Sequence, residues 1–490
     1  MQNYPVKERL RTIASWVDRV FIAPRLAIVF AGLYLSAFLI PFPLAQWYNI
    51  PHISFAQITN FAPWAAAGLI LAGVALVSVN AQLWRIARRQ PGKPLRRWIW
   101  IGWLAAAVCA LFTVPGQSTD IGDYIFRAHM LAHLQANPLT TPPSAVIQWS
   151  SFPYLGWYTD VDTYGPLWHG LAAIAHLLSG ENVLVNFLAF KLIGVISIGV
   201  SAWFIQAILR QVAPQYIEAG LALWLWNPLV LNEGVINAHN DLMMWAVVLA
   251  GIWLLLRQRA VPGLMVLVAA GLIKITAWVT LPVAAVWLIR QRGWIKALRV
   301  GVPAMLLGTV MVWLAYLPLG GLARLVEVAR ARSWWPTQTW TAAIFFTLRD
   351  VQHIPHEVVV QDVIGAATLV FLIAVGVILW RVRDLRASLW GVVLAYLLIG
   401  THWFQAWYAV GLIALTALIP DGALAGYTFV FTFFMLLQPI AAQYYVSHLT
   451  LLPGGRDALL AAVTLLVPQI AALVLVVIKW RKTPRQIRAA

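Results

Sequence analysis

Apolar runs of roughly 17 to 25 residues recur along almost the whole chain, each long enough to cross a bilayer as a helix. They leave no room for a sizeable soluble domain. The expected fold is an all-α polytopic membrane protein, one integral-membrane domain over residues 1–490. The composition agrees: 61% of residues are hydrophobic and 10% charged, where soluble domains carry about a quarter charged residues. A net charge of +17 is compatible with nucleic-acid binding. The basic clusters, however, lie between apolar spans, as Lys and Arg do on cytoplasmic loops. No nucleic-acid partner is therefore expected. The single cysteine, Cys109, rules out an intrachain disulfide.

Charge bias orders the spans. Lys7, Arg9, Arg11, Arg19 and Arg25 place the N-terminus inside, and no small-residue cleavage pattern follows the first apolar run, so that run is expected to stay as a helix. Spans near 26–43 and 63–83 lead to a loop with Arg85, Arg88, Arg89, Lys93, Arg96 and Arg97. A span near 98–114 then exports a polar segment, residues 115–166, as a first large extracytoplasmic loop. Within it, residues 121–134 are expected to form a short amphipathic helix in the interface, ended by Pro138, Pro142 and Pro143. The apolar piece 167–178 is too short to cross comfortably and is expected to dip in and out. Further spans lie near 183–209, 244–256, 300–317 and 363–380, and a hairpin over 261–289 turns near Lys274. Residues 320–361 form a second large outer loop, and the C-terminal Lys479, Arg481, Lys482 and Arg485 lie inside. The total is about 12 to 14 spans.

The polar residues gather in a few knots on the outer side. Asp120, Asp123, Asp160 and Asp162 all fall in the first loop, although the chain has only 17 acidic residues. A second knot runs from Asn227 to Met244 and carries Glu233, His239, Asn240 and Asp241; a third surrounds His402 and Gln405. No Walker loop, no GxGxxG after a strand and no HExxH or CxxC pattern is present. No cofactor is required by the sequence, and a divalent cation has no spacing motif behind it. A site on this face has no access to cytosolic nucleotide sugars. Its activated substrate must come with the membrane, and a lipid-phosphate sugar meets that need.

The order of motifs carries a resemblance. Ser118-x-Asp120 with Tyr124 and Asn137-Pro138 comes first, then Tyr164-Gly165-Pro166-Leu167 and Asn227-Pro228-Leu229-Val230. His239-Asn240-Asp241, Lys274 in an apolar hairpin and Gln405-Ala406-Trp407-Tyr408 follow. Over about residues 114–419 this resembles the polyprenol-phosphate-mannose-dependent α-(1→6)-mannosyltransferases of the GT-C superfamily. The family pattern has an aromatic residue two positions after the first Asp, where this chain has Gly122, so Asp120 and Asp123 both stand as the equivalent carboxylate.

The resemblance implies a GT-C-like bundle. It also implies inverting transfer of a sugar, expected to be mannose, from a polyprenyl-phosphate donor to a glycan or lipid-linked acceptor. A carboxylate of the first loop is the expected general base, Asp120 with Asp123 as its rival, although Ser118-Thr119-Asp120 also reads as a helix cap. The departing phosphate calls for cations. Lys274 is the first candidate, with Arg324, Arg330 and Arg332 next, against readings as an internal ion pair or a solvated face. Tyr124, Tyr164, His239, Asn240, Asp241, His402, Gln405, Trp407 and Tyr408 are candidate sugar or acceptor contacts, and Trp334, Trp335 and Trp403 offer further stacking faces. With 27 tryptophans in the chain, packing or membrane-belt roles compete at each aromatic position. A secondary transporter or flippase of lipid-linked sugars is the alternative class. It predicts internal repeats around a midplane site, and no repeat is visible here.

Overall fold

The computed structural model describes residues 22–146, 153–331, 336–471 and 474. The basic residues of the N-terminus up to Arg19 and those of the C-terminus lie outside them, as do Arg332, Trp334 and Trp335. The protein is an all-α polytopic membrane protein. Among the described residues there is no strand, and only two isolated bridges occur, Pro43 with Thr113 and Thr337 with Trp403. Among the described residues, six helices are long and apolar enough to span a membrane: Ile22–Leu39, Pro63–Arg89, Val183–Val212, Trp294–Leu319, His356–Arg381 and Gly422–Tyr444. A bent pair, Pro228–Ile236 and Asp241–Leu256, makes a seventh if counted as one span.

Local sequence explains where these helices start and stop. Proline opens Pro63–Arg89, where a missing N–H costs nothing, and Arg88 and Arg89 sit in its last turn against the negative end of the helix dipole. Asn182, Asp384 and Asp421 cap the helices that follow them, each side chain accepting from backbone N–H groups of the first turn. Only 6% of the apolar window of His356–Arg381 is buried, so nearly its whole circumference is left to lipid. This helix begins five residues before the expected end of the second outer loop. That loop itself holds the helices Ala323–Ala331 and Trp340–Phe346.

Basic helix ends meet at one end of the bundle. Arg292 donates to the Gln258 carbonyl (3.0 Å) and Arg290 to the Val382 carbonyl (2.8 Å). Arg96 pairs with Glu218 at 2.6 Å. The polar knots lie at the opposite ends of the same helices.

The core is built around the short helix Ile217–Leu225, every residue of which is buried. The Trp226 indole N–H donates to the Ile99 carbonyl (2.8 Å) and that of Trp224 to the Ile198 carbonyl (3.0 Å), so both rings enter the interior without an unmet donor. Glycine at 102 makes this possible, since a Cβ there would lie 2.3 Å from the Trp226 ring.

The chain then breaks. Asn227 caps Pro228–Leu231, a π-helical turn covers Asn232–Ile236, and the next helix starts at Asp241 after a bend of 118°. Ala238, within the bend, has φ +57°, a conformation that costs a non-glycine residue energy. Carbonyls freed at such a break cannot stay unpaired in an apolar interior. Lys191, on the spanning helix Val183–Val212, answers them: its ammonium donates to the carbonyls of Ile236 (2.7 Å), Val235 (2.8 Å) and Ala110 (3.3 Å). Close approach of the two segments requires glycine at 194, because a Cβ there would sit 1.7 Å from the Gly234 oxygen.

Lys191→Met should therefore leave the Val235 and Ile236 carbonyls without this donor and lower stability by about 2 to 4 kcal/mol. A thermal melt of the detergent-solubilised protein checks this; a melting temperature equal to wild type would show that the ammonium does not hold the break.

Candidate active site

The helix Asp120–Ala132 carries the two acidic candidates, and it is enclosed by protein: residues 121–130 are all buried. Just before its start, the Ser118 hydroxyl accepts from the Asp120 backbone N–H (3.2 Å). The Asp120 carboxylate meets side chains of other segments. Its Oδ2 accepts from the Tyr164 hydroxyl at 3.2 Å and lies 3.5 Å from both the Tyr124 hydroxyl and His239 Nδ1. Among the described residues Oδ1 has no hydrogen bond.

Asp123, one turn on, has both oxygens engaged: Oδ1 accepts from the Trp157 N–H (3.1 Å) and Oδ2 from the Gly156 N–H (3.2 Å). Arg127 continues this seam, donating to the carbonyls of Asp160 (2.9 Å) and Trp157 (3.3 Å) and facing Asp162 at 3.7 Å. Asp162 in turn accepts from the backbone N–H groups of Thr163 and Tyr164 and faces His169 at 3.4 Å. The segment leading to Tyr164 is folded onto the helix by these contacts.

Tyr164 is placed by backbone pairing. The N–H groups of Gly165 and Leu167 donate to the Ile273 and Leu272 carbonyls, both at 2.9 Å, and a Cβ at Gly165 would lie 2.1 Å from the Leu272 oxygen. The expected hairpin turn is thereby brought alongside. Lys274 is there, its ammonium 2.7 Å from Asp241 Oδ2, 4.4 Å from the Tyr408 ring centroid and 5.5 Å from that of Tyr164.

From the bend, His239 reaches between two carboxylates, Asp120 and Glu233, with Nε2 3.2 Å from Glu233. Its ring stacks on Trp407, centroids 3.8 Å apart. Carboxylates on both sides favour the charged imidazolium. Asn240 is buried beside it, and neither end of its amide has a hydrogen-bond partner among the described residues.

Two cavities meet at Asp120. The larger, about 700 Å³, is walled by Asp123, Arg127, Asp160, Tyr164, Trp403 and Tyr408 together with Gln338, Arg456 and Asp457 from the C-terminal part. The smaller, about 280 Å³, is walled by Tyr48, Tyr154, Phe187 and Gln443. Asp120, Trp157, Gln405 and Trp407 line both.

The two carboxyls titrate in opposite directions. For Asp120 burial works against ionisation, but the hydrogen bond and charge of His239, the charge of Lys274 and the Tyr164 hydroxyl outweigh it and hold the group below the usual carboxylate range. For Asp123 burial comes first and the Asp120 charge adds to it, so its pKa is pushed up to about 7 despite Arg127 and the two backbone donors.

Of the sequence candidates, the structure brings together Asp120, Asp123, Tyr124, Tyr164, His239, Asp241, Lys274, Gln405, Trp407 and Tyr408. Lys274 is held by Asp241 and lines neither cavity. Arg324 pairs with Glu327 and lines neither. Arg330 is on the same helix as Arg324, with its side chain outside the described set, and Arg332 lies outside the described residues. The His402 ring is off the cavity walls; its carbonyl instead accepts from Thr337 N–H at 2.9 Å. The sequence reading missed Arg456, which faces both the large cavity and an adjoining hollow with Arg349. A polar break, Pro453 to Asp457, was its only signal. It also passed over Glu233 as a partner of His239, and Arg127. Among the described residues no set of three metal-ligating side chains converges at Asp120.

Residues 22–290, more than half of the chain, match the family described as "Alpha-(1->6)-mannopyranosyltransferase, N-terminal domain". The chain belongs to this family. It is similar to alpha-(1->6)-mannopyranosyltransferase A of Corynebacterium glutamicum, 28% identical over 38% of this chain and 37% of that protein. It is also similar to the Mycobacterium tuberculosis protein of the same name, 24% identical over 62% of each chain. A probable alpha-(1->6)-mannopyranosyltransferase of Mycolicibacterium smegmatis is 25% identical over 53% of this chain and 51% of that protein. The matched regions thus span less than two thirds of these relatives. No solved structure matches the chain.

The opposed titrations give a stability test. Asp123 has a raised folded pKa, so the stability it confers is full below its unfolded value of 3.8 and is lost as pH rises through about 7. Replacing it removes that loss. The stability of Asp123→Asn relative to wild type should accordingly improve between pH 4 and 7, by up to about 4 kcal/mol, and level off above that. Melts across this range read the difference, and a constant gap would contradict the raised pKa.

Proposed function

We propose that this protein is an inverting mannosyltransferase. It moves mannose from a polyprenyl-phosphate donor to a glycan or lipid-linked acceptor at the extracytoplasmic membrane face. The observation that carries the reading is the Asp120 carboxylate at the wall shared by two cavities, one oxygen fixed and the other open. The family supplies the reaction class, and the geometry supports the roles.

The lipid-phosphate sugar occupies the larger cavity and the acceptor the smaller. The acceptor hydroxyl approaches Asp120 Oδ1, and its oxygen attacks the anomeric carbon from the face opposite the phosphate. As the new C–O bond forms, the hydroxyl proton passes to Asp120 and the bond to the phosphate oxygen breaks. One displacement inverts the centre without an enzyme-bound intermediate. A low pKa makes Asp120 a weak base in the resting state, but the attacking hydroxyl becomes strongly acidic once bonded to carbon, so transfer is late and downhill. His239 and the two tyrosines orient the carboxylate, and a positioned base of this kind contributes about 10²- to 10⁴-fold.

Arg456, exposed at the wall of the larger cavity, with Arg349 in the next hollow, is the cation for the developing phosphate charge. Lys274 acts from behind, neutralising Asp241 and adding positive potential at Asp120. Trp157 and Trp407 present faces to sugars in both cavities. The extracytoplasmic assignment rests on the gathering of Arg and Lys at the opposite end of the bundle.

Purified protein with polyprenyl-phosphate mannose and candidate acceptors tests this. Wild type should form glycosidic product, and Asp120→Asn should lose about 10²-fold or more in kcat with donor binding retained. Asp123→Asn should lose far less. No product with any lipid-phosphate sugar, or full turnover by Asp120→Asn, would overturn the reading. Arg456→Ala should raise the KM for donor about 10-fold with a smaller effect on kcat; an unchanged KM would remove Arg456 from the phosphate site.

A further inference from the structure

At the far end of the Asp120 helix three histidines and a glutamate converge: His129, His133, His176 and Glu181, whose ligand atoms all lie within 4.8 Å of one another. Nine residues separate His129 from Asp120, roughly 13 Å of helix, so the cluster is distinct from the cavities. We propose that these four side chains form a binding site for a divalent transition metal ion, Zn²⁺ by its donor set, that ties the base-carrying helix to the two helices after it.

The geometry fits a tetrahedral ion. Bonds of about 2.0 to 2.1 Å place neighbouring ligand atoms about 3.3 Å apart. His129 Nδ1 lies 3.1 Å from His176 Nε2 and 3.5 Å from Glu181 Oε1. The His133 ring stands next to both, with centroids 4.9 Å from His129 and 5.3 Å from His176.

The orientation of His176 is set from behind. Asn186 uses its amide NH₂ to donate to the carbonyls of Gly180 (2.7 Å) and Asn182 (2.9 Å), which turns its oxygen towards the imidazole. That oxygen is 2.9 Å from His176 Nδ1, so Nδ1 must carry the hydrogen and donate. Nε2 then carries no hydrogen, and it accepts across the 3.1 Å to His129 Nδ1. Metal-bound histidines are typically fixed in this way, by a hydrogen bond from the other ring nitrogen to an oxygen.

The three ligand segments are also arranged for an ion to enter. His129 and His176 are buried, whereas His133 and Glu181 are exposed. His133 and His129 are four residues apart at the C-terminus of their helix, hence on one face. His176 is in the last turn of Pro166–Ser179, and Gly180, at φ +60°, turns the chain so that Glu181 folds back. Asn182 then caps Val183–Val212, the helix that carries Lys191. Imidazole and carboxylate together suit Zn²⁺ rather than Ca²⁺ or Mg²⁺, which prefer all-oxygen shells.

The test uses the full chain with any affinity tag removed, equilibrated with Zn²⁺, freed of excess metal by gel filtration and analysed for metal content. Wild type should retain about one zinc per chain. His133→Gln combined with Glu181→Gln, both at exposed positions, should elute as wild type does and bind at least 10-fold more weakly. Co²⁺ in place of Zn²⁺ should give the intense visible bands of a tetrahedral site in wild type alone. Zinc content near zero in wild type, equal zinc in the double variant, or only the weak bands of six-coordinate Co²⁺ would each overturn the proposal and leave a hydrogen-bonded histidine cluster.

Discussion

One ammonium group holds the architecture of the site. A helix that breaks inside an apolar bundle exposes carbonyls that lipid cannot satisfy. In this chain Lys191 donates to two carbonyls at the break and to a third from the helix Lys93–Leu111. The cation therefore joins three segments at the point where the chain turns by 118°. Everything presented by the turn depends on this contact, because His239 and Asp241 are aimed by the bend.

The charges at the site are arranged in alternation. Glu233, His239 and Asp120 form one row, and Asp241 with Lys274 forms another, so each acid has a cation against it. Burial makes an unmatched charge very costly, and this pairing is what keeps Asp120 ionised in a mostly enclosed position. Asp123 shows the opposite case. It is almost as close to the cavity but receives only backbone donors and Arg127, and the neighbouring negative charge pushes it towards neutrality. Two carboxyls one helical turn apart thus titrate in different pH ranges because of their surroundings alone.

Much of the fold was legible in the sequence. Apolar runs near 183–209, 300–317 and 363–380 correspond to the helices Val183–Val212, Trp294–Leu319 and His356–Arg381, because span length is a local property. The hairpin turning near Lys274 is likewise seen as Ala260–Gly271 followed by Thr280–Arg292. Motif order also pointed to the polar knots that meet at Asp120. What stayed hidden was set by tertiary contact. Lys191 is a visible charge inside an apolar run, but the carbonyls it meets come from distant segments and no local pattern names them. Choosing between Asp120 and Asp123 depends on which backbone N–H groups the loop 153–165 offers. Arg456 lies 336 residues after Asp120 in sequence, yet both line one cavity. A short helix was expected at 121–134 and one is present as Asp120–Ala132; its burial reflects the segments folded over it, which no periodicity reveals.

The wall between the two cavities has a consequence for how this enzyme family diversifies. Trp157, Gln405 and Trp407 are each part of both chambers. A substitution that reshapes one chamber must reshape the other. Under the proposed reaction, a lineage could not change its preference for acceptor at these three positions while keeping its donor pocket untouched. Independent tuning would have to occur at residues that face a single chamber, such as Tyr48 and Tyr154 on one side or Gln338 and Trp403 on the other. Divergence between relatives should then be partitioned: coupled changes at the shared wall, free drift on the outer walls.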